Sequence, residues 1–265
     1  MDENKIREVA LEAVMGAGAA LRDHFTSGDR SYELKGERDI LSEADLAAEQ
    51  IILDRIRGTF PDHSILSEES GETMTGSPYE WIIDPMDGTI NFSRGIADFC
   101  VSIGVSKDSV LELGIVYEPI RDRLFVAERG KGATLNGDPI RVSGESALAS
   151  TLLAVDNSSK MPERVRILRL LAEISPSVRH VRIYGSAALH MTRIAAGEID
   201  AYFKTTCNYW DHAAGTLLVE EVGGTVTDLE GRPLSADSTS IAISNGLVHE
   251  ELLQTLTRMR SLIIE

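Results

Sequence analysis

Cysteines and aromatic residues are scarce in this chain, and long hydrophobic runs are missing. Its 265 residues include two cysteines, Cys100 and Cys207, without a Cys-x-x-Cys pair or a Cys/His cluster. This pattern argues against a disulfide framework and against a zinc site. No apolar run approaches the ~20 residues that a membrane-spanning helix needs, and the polar first residues do not resemble a signal peptide. We therefore expect a cytoplasmic protein in a reducing compartment.

Positive charge is also in short supply. The chain carries 42 acidic and 26 basic residues, for a net charge of -16. Such a surface repels nucleic acid backbones and anionic membranes, so we expect neither as a partner. It would also repel a phosphorylated substrate, unless bound cations or local basic groups reverse the field at the site. The acidity is therefore compatible with bound metal, and plain solubility is the alternative explanation.

Hydrophobic periodicity in the first half predicts helices followed by an antiparallel sheet. Apolar residues at helical spacing predict helices over 3–26 and 43–57, with Ser42 as the N-cap of the second. Short apolar segments separated by turn residues follow, which predicts a meandering antiparallel sheet. Asn136-Gly137 predicts a tight hairpin within it.

The second half changes character at about residue 145, where strands and helices begin to alternate. This alternation predicts a mixed, partly parallel sheet. The fold class is therefore α/β of the α+β kind, with two tightly packed units, residues 1–145 and 146–265, and a cleft at their junction. Ser186 is the expected N-cap of the second helix in this half. The predicted elements are strands 152–155, 178–183, 199–203, 224–227 and 240–243, and helices 162–173, 186–196, 212–222 and 247–258.

The segment 81–92, W-I-I-D-P-M-D-G-T-I-N-F, carries the clearest chemistry. An apolar strand is predicted to end in Asp84, a proline turn follows, and Asp87 stands three residues later. Two carboxylates at one strand end can flank a hard cation. The amides of Gly88 and Thr89, at the start of a short helical segment, can hold phosphate oxygens. The alternative is an ordinary Asx or proline turn.

Three other acidic positions have both a structural and a functional interpretation. Glu68 and Glu69 follow a short strand, and taken alone they describe a solvated acidic loop. Asp211 stands where a helix begins, and taken alone it describes an N-cap. Ser42 and Asp45 have the spacing of a capping box, with Asp in place of the usual Glu. The functional interpretation makes Asp45 the partner of a catalytic hydroxyl.

Together these segments resemble the inositol monophosphatase family of magnesium-dependent, lithium-sensitive phosphatases. The resemblance covers nearly the whole chain, and the D-P-x-D-G-T and W-D-x-A-A-G motifs are specific in combination. It implies an alternately layered fold, a homodimer, and two Mg²⁺ ions with a weaker third ion near Glu68. The matching segments are Lys35-Gly36, Asp39 to Asp45, Glu68-Glu69, Asp84 to Thr89, Gly185 to Ala187 and Trp210 to Gly215.

The resemblance also implies roles for individual residues. Thr89 would bind the attacking water, and Asp45 would accept a hydrogen bond from Thr89; together with Glu68 they form the catalytic set. Transfer would be directly to water, without a phosphoenzyme. The implied metal ligands are Glu68, Asp84, the Met86 carbonyl, Asp87 and Asp211. The implied substrate-binding residues are Asp87, Gly88, Thr89, Gly185, Ser186, Ala187, Lys204 and Asp211.

Lys204 is a departure from the family pattern. Inositol-specialised members carry a glutamate at this position, counted back from the W-D motif, and that glutamate accepts from an inositol hydroxyl. A lysine cannot accept a hydrogen bond, and it suits a second phosphate or another anionic group. The alternative is that Lys204 points to solvent.

The sequence leaves several substrates open. The first expectation is an inositol monophosphate. Fructose 1,6-bisphosphate is the alternative that Lys204 favours, followed by histidinol phosphate, whose cation Lys204 would oppose, and 3'-phosphoadenosine 5'-phosphate. A non-catalytic binding protein on the same fold is the alternative of a different class.

Overall fold

The computed structural model describes residues 3–28, 30–35, 40–158 and 160–259. No helix within these ranges is both long and apolar enough to cross a membrane. The helices are α1 Glu3–Ser27, α2 Glu43–Thr59, α3 Thr89–Ser93, α4 Met161–Ile174, α5 Ala187–Ala195, α6 Tyr209–Glu220 and α7 His249–Arg258. The strands are β1 Tyr32–Leu34, β2 Ile40–Ser42, β3 Ser64–Ser67, β4 Gly71–Thr73, β5 Tyr79–Asp87, β6 Cys100–Lys107, β7 Val110–Glu118, β8 Arg123–Glu128, β9 Gly132–Leu135, β10 Asp138–Pro139, β11 Leu152–Val155, β12 His180–Arg182, β13 Ala201–Lys204, β14 Thr225–Thr227 and β15 Ile241–Ser244.

The first half forms an eight-stranded sheet in the order β10-β9-β8-β7-β6-β5-β3-β4. Its neighbouring strands are antiparallel except for β3 and β5, which run parallel. The predicted hairpin is present between β9 and β10, where Asn136 and Gly137 both have positive φ, 51° and 89°. Two consecutive positive φ values are those of a type I′ turn, which favours Asn-Gly.

The second half forms a five-stranded mixed sheet in the order β12-β11-β13-β15-β14. Strand β11 runs parallel to both β12 and β13, whereas β15 is antiparallel to both β13 and β14. The predicted helices of this half are all present, but α6 begins at Tyr209, three residues before the predicted start. The predicted fold class is confirmed, and the division into two units at residue 145 stays a prediction.

Helices and sheets alternate in layers, and each interface between layers has its own apolar core. Helices α1 and α2 pack on one face of the eight-stranded sheet through a core that includes Leu21, Ile52 and Trp81. Helices α5 and α6 lie between the two sheets, with Met191 and Leu217 in the core there. Helices α4 and α7 cover the outer face of the five-stranded sheet.

Helix α6 approaches the eight-stranded sheet closely enough to require glycine beneath it. A Cβ atom on Gly114 of β7 would lie 2.5 Å from the Ala214 carbonyl oxygen, and one on Gly104 of β6 would lie 3.1 Å from Ala213 Cβ. Since backbone cannot move aside as a flexible side chain can, these glycines set the distance between helix and sheet. The close approach carries the start of α6 to the end of β5, where the predicted site lies.

Gly114→Ala is expected to destabilise the protein through this contact. Overpacking of a tight interface typically costs about 1–3 kcal/mol, which corresponds to a fall in melting temperature of roughly 3–10 °C for a chain of this size. Gly58→Ala in α2 is the matched control, because a Cβ atom there meets nothing within 4 Å and alanine favours a helix. Thermal unfolding followed by circular dichroism checks both. A Gly114→Ala protein as stable as Gly58→Ala would contradict the close packing.

Candidate active site

The parallel pairing of β3 and β5 places Glu68 beside Asp84. Ser67 pairs with Ile83 in the ladder, and the Glu68 N–H donates to the Ile83 carbonyl oxygen over 3.1 Å. Parallel strands end at the same edge of a sheet, so the residues that follow them in the ladder come level. Two carboxylates that are separated by fifteen residues in the sequence therefore meet at one sheet edge.

Strand β5 does not end at Asp84 as predicted but continues to Asp87. Its ladder with β6 is irregular between Asp84 and Asp87, which is where Pro85 stands. Proline has no N–H to give to a ladder, so it is tolerated in a strand at such an irregularity. The Met86 N–H donates to Asp84 Oδ1 over 3.1 Å. The local turn thus fixes the Asp84 carboxylate, which is only 2% exposed.

Gly88 and Thr89 connect this strand to the short helix α3. Gly88 has φ +103°, and a Cβ atom there would lie 2.7 Å from the Asp98 carbonyl oxygen, so only glycine fits. The Thr89 hydroxyl oxygen then lies 3.1 Å from the Met86 carbonyl oxygen and 3.4 Å from Asp45 Oδ1. The hydroxyl has one proton for two acceptors, which leaves its lone pairs available to bind water.

Asp45 reaches this hydroxyl from the first turn of α2. The predicted capping box is confirmed: Asp45 Oδ2 accepts from the Ser42 backbone N–H over 2.8 Å and from the Ser42 hydroxyl over 2.6 Å. The other carboxylate oxygen is therefore the one that faces Thr89. Burial raises the pKa of Asp45 to about 7, although the hydrogen bonds from Ser42 act in the opposite direction.

The second half of the chain contributes the start of α5. Ser186 is the N-cap of α5, as predicted, and accepts from the Leu189 N–H. The Ser186 hydroxyl also donates to Asp87 Oδ2 over 2.8 Å, and the Ala188 N–H donates to the same oxygen over 2.6 Å. The segment Gly185 to Ala187 thus borders Asp87, and it joins the two halves of the site.

Asp211 enters the site from α6, but not as the N-cap that its position alone predicts. Asn208 is the N-cap, and Asp211 is the third residue of the helix. The Asn208 N–H donates to Asp211 Oδ2 over 2.6 Å. The signal was ambiguous, because an Asn and an Asp three residues apart are both common at helix starts.

Lys204 lies inside the site at the end of β13. Its Nζ atom is 3.3 Å from Asp211 Oδ2, and its side chain is 22% exposed, so the alternative in which it points to solvent does not hold. Burial lowers the pKa of Lys204, but Asp211, Asp156 and Asp87 more than offset that effect and raise it. The ammonium is therefore charged at every relevant pH.

Burial and repulsion between carboxylates together raise the pKa values of Glu68, Asp84 and Asp87. Burial, followed by the charges of Glu68, Asp87 and Asp211, holds the pKa of Asp84 well above its usual range. Burial raises the pKa of Asp87 to about 7, against the opposing effect of Lys204. Burial also raises the pKa of Glu68, although Lys35 Nζ lies 3.0 Å from its Oε1. A site that raises several carboxylate pKa values is one that cations would stabilise.

The carboxylate ligands are of the type that magnesium prefers, although they are not arranged as a complete coordination site. Within the described part of the chain, no three His, Cys, Asp or Glu side chains surround one common point. Three of the carboxylates are instead turned to a partner in the protein, Glu68 to Lys35, Asp87 to Ser186 and Asp211 to Lys204. Carboxylate oxygens from both halves that lie together and repel one another are the hard ligands that Mg²⁺ prefers. Gly36 and Asp39 of the family pattern lie outside the described residues.

Sequence reasoning missed a buried group beneath Lys204. Asp156, directly after β11, accepts from the Tyr202 hydroxyl over 2.6 Å, and its Oδ1 lies 3.4 Å from His190 Nδ1. His190 Nε2 in turn accepts from the Tyr184 N–H over 3.1 Å, which holds the segment before Gly185 in place. In the sequence, Asp156 follows the apolar run 152–155 as Asp84 follows the apolar run 81–83, and this position was the signal that could have identified it.

Comparisons with known proteins show what the whole chain is similar to. A model of the inositol monophosphatase family matches residues 2–261. The chain is 38% identical over 254 residues to an inositol-1-monophosphatase of Synechocystis sp., across 94% of this chain and 88% of that protein. It is 36% identical over 256 residues to a fructose-1,6-bisphosphatase/inositol-1-monophosphatase of Thermotoga maritima, across 95% and 96%. The structure of the extragenic suppressor protein suhB from Bartonella henselae superposes with a TM-score of 0.91 at 35% identity, across 96% of this chain and 99% of that one.

Proposed function

This chain belongs to the inositol monophosphatase family and is a phosphatase, and we propose that it is a magnesium-dependent phosphomonoesterase that acts on a small phosphorylated polyol. The observation that carries this proposal is that Glu68, Asp84, Asp87 and Asp211 lie close enough to influence one another's charge, near the Thr89 hydroxyl and Asp45 at the end of β5. These groups come from both halves of the chain, and none of them forms part of an apolar core.

Each residue of the site has a separate role in this proposal. Glu68, Asp84, Asp87, Asp211 and the Met86 carbonyl would hold two Mg²⁺ ions, with a weaker third ion near Glu68. Mg²⁺, when bound, would activate the attacking water and offset the charge that develops on the phosphate. Thr89 would position that water through its hydroxyl oxygen, and Asp45 would orient the hydroxyl by accepting a hydrogen bond from it. The Gly88 and Thr89 amides would hold phosphate oxygens.

The substrate is an inositol monophosphate in the first form of this proposal and a sugar bisphosphate in the second. A specific observation favours keeping the second: Lys204 places a mostly enclosed ammonium 3.3 Å from Asp211. An ammonium attracts a second phosphate and gives an inositol hydroxyl no acceptor. The relative from Thermotoga maritima carries both activities in its name. A homodimer in the cytoplasm, as the resemblance implies, completes the proposal.

Steady-state phosphate release with Mg²⁺ tests the substrate assignment. Inositol 1-phosphate and fructose 1,6-bisphosphate are compared for the wild type and for Lys204→Glu, with histidinol phosphate and 3'-phosphoadenosine 5'-phosphate as further substrates. If Lys204 binds a second phosphate, Lys204→Glu should lower kcat/KM for the bisphosphate by about tenfold or more and affect inositol 1-phosphate much less. Equal effects on both substrates would show that Lys204 acts on a step that the substrates share and does not bind a second phosphate. No release from any of the four would contradict the proposed activity.

A further inference from the structure

Lys204 and Asp211 form an ion pair within the site itself. The Lys204 Nζ atom lies 3.3 Å from Asp211 Oδ2, and the same oxygen accepts from the Asn208 N–H over 2.6 Å. The lysine ends a strand of the five-stranded sheet and the aspartate lies in the first turn of α6. Both side chains are mostly enclosed, with 22% and 14% of their surface exposed, so water screens the pair weakly.

The ammonium is held where it is by more than Asp211. Asp156 and Asp87 also act on its charge, and Asp156 is fixed from below by the Tyr202 hydroxyl. Asp211 thus holds the ammonium by direct contact, and the charges of Asp156 and Asp87 favour its ionised form. A divalent ion that used the same Asp211 oxygen would come within a few ångströms of the ammonium, and the repulsion between the two cations would weaken its binding.

We propose that Lys204 is an internal cation that competes with a divalent ion for Asp211. This inference rests on the proposed function, because it takes Asp211 as a metal ligand. Lys204 would weaken the ion position that uses Asp87 and Asp211 and leave the position formed by Glu68 and Asp84 nearly unaffected. The two positions would then fill at different ion concentrations. Lys204 would determine the higher concentration, at which the position with Asp87 and Asp211 fills.

Direct metal binding tests the competition without reliance on activity. Protein stripped of metal is titrated with Mn²⁺ by calorimetry, and free Mn²⁺ is followed by electron paramagnetic resonance. Of the two main ions of the proposed site, we expect the wild type to bind one more tightly, at Glu68 and Asp84, and one more weakly, at Asp87 and Asp211; the third ion is weaker than both. Lys204→Gln and Lys204→Met should tighten the weaker ion by roughly tenfold or more, whereas Lys204→Arg, which keeps the charge, should leave it near the wild-type value. Lys131→Gln, which removes an exposed charge between β8 and β9, is the matched control.

The outcomes separate this inference from the proposed function. If the wild type binds Mn²⁺ and Asp84→Asn does not, the metal site stands. Unchanged affinity in Lys204→Gln and Lys204→Met would then overturn the competition alone, and so would tightening in Lys204→Arg. If the wild type binds no Mn²⁺ at millimolar concentration, both the metal site and the competition are wrong. Circular dichroism of each variant establishes that it is folded before the titration.

Discussion

Asp84→Asn is expected to abolish phosphate release while it makes the metal-free protein more stable to heat. Asp84 is 2% exposed and lies among Glu68, Asp87 and Asp211. Burial and these like charges make its ionised form unfavourable in the folded protein. Asparagine has nearly the same shape, and it can still accept from the Met86 N–H through its amide oxygen. We expect a rise in melting temperature of about 4 °C, on the order of 1–2 kcal/mol.

The sign of the pH dependence follows from the raised pKa. An aspartate whose pKa is higher in the folded than in the unfolded protein destabilises the fold increasingly as the pH rises from the unfolded pKa to the folded pKa, and the penalty disappears below the unfolded pKa. The stability gap between Asp84→Asn and wild type should therefore be largest at neutral and alkaline pH and close in acid. Mg²⁺ should reverse the order, because an ion that binds the native wild type stabilises it.

Activity falls for a separate reason. If Asp84 holds both ions, its loss removes several kcal/mol of transition-state stabilisation, which corresponds to a fall in kcat/KM of about 10³-fold or more. Asp54→Asn on the exposed face of α2 is the matched control, and it should change neither property. Differential scanning calorimetry with and without Mg²⁺ and phosphate release measure the two effects. An Asp84→Asn protein less stable than wild type without metal would show that the carboxylate is not strained by its neighbours.

The elements that the sequence predicted well are those whose signal is local. The capping box of Ser42 and Asp45 and the hairpin at Asn136-Gly137 each need only a few neighbouring residues, and both are present. Helix α1 was predicted almost to the residue, because its apolar positions repeat over many turns. The start of α6 was predicted three residues too far along the chain, because Asn208 and Asp211 are both plausible N-caps.

Contacts between residues that are distant in the sequence could not be predicted from it. The parallel register of β3 and β5 brings Glu68 to Asp84, yet nothing in either strand shows that they are neighbours. The contacts of Asp156 with Tyr202 and His190 join residues more than thirty positions apart. The side-chain position of Lys204 is of the same kind, since its enclosure depends on α6 and β11. The order of the motifs in the sequence predicted which residues form the site. Which charged side chains lie next to one another in the site could be learned only from the tertiary structure.

Thr89→Ala is expected to lower kcat by about 10²–10³-fold while metal binding stays near wild type. The hydroxyl lies between the Met86 carbonyl and Asp45 Oδ1, and in our proposal it orients the attacking water. Removal of one such positioning group typically costs that factor. Thr89→Ser keeps the hydroxyl and should retain most of the activity. Equal losses in both variants would show that the methyl group, and not the hydroxyl, is required.

The pH profile of activity is expected to identify Asp45 as the partner of this hydroxyl. Burial raises the Asp45 pKa to about 7, and a protonated Asp45 no longer offers Thr89 an ionised acceptor. Activity that depends on the carboxylate should therefore be present above this pKa and fall as the pH drops through it. Bound cations favour the ionised form, so with Mg²⁺ the limb should lie below pH 7. Asp45→Asn should lower kcat and lose the limb. A limb that persists in Asp45→Asn would assign it to another carboxylate, and Thr89 would then be oriented through Met86 alone.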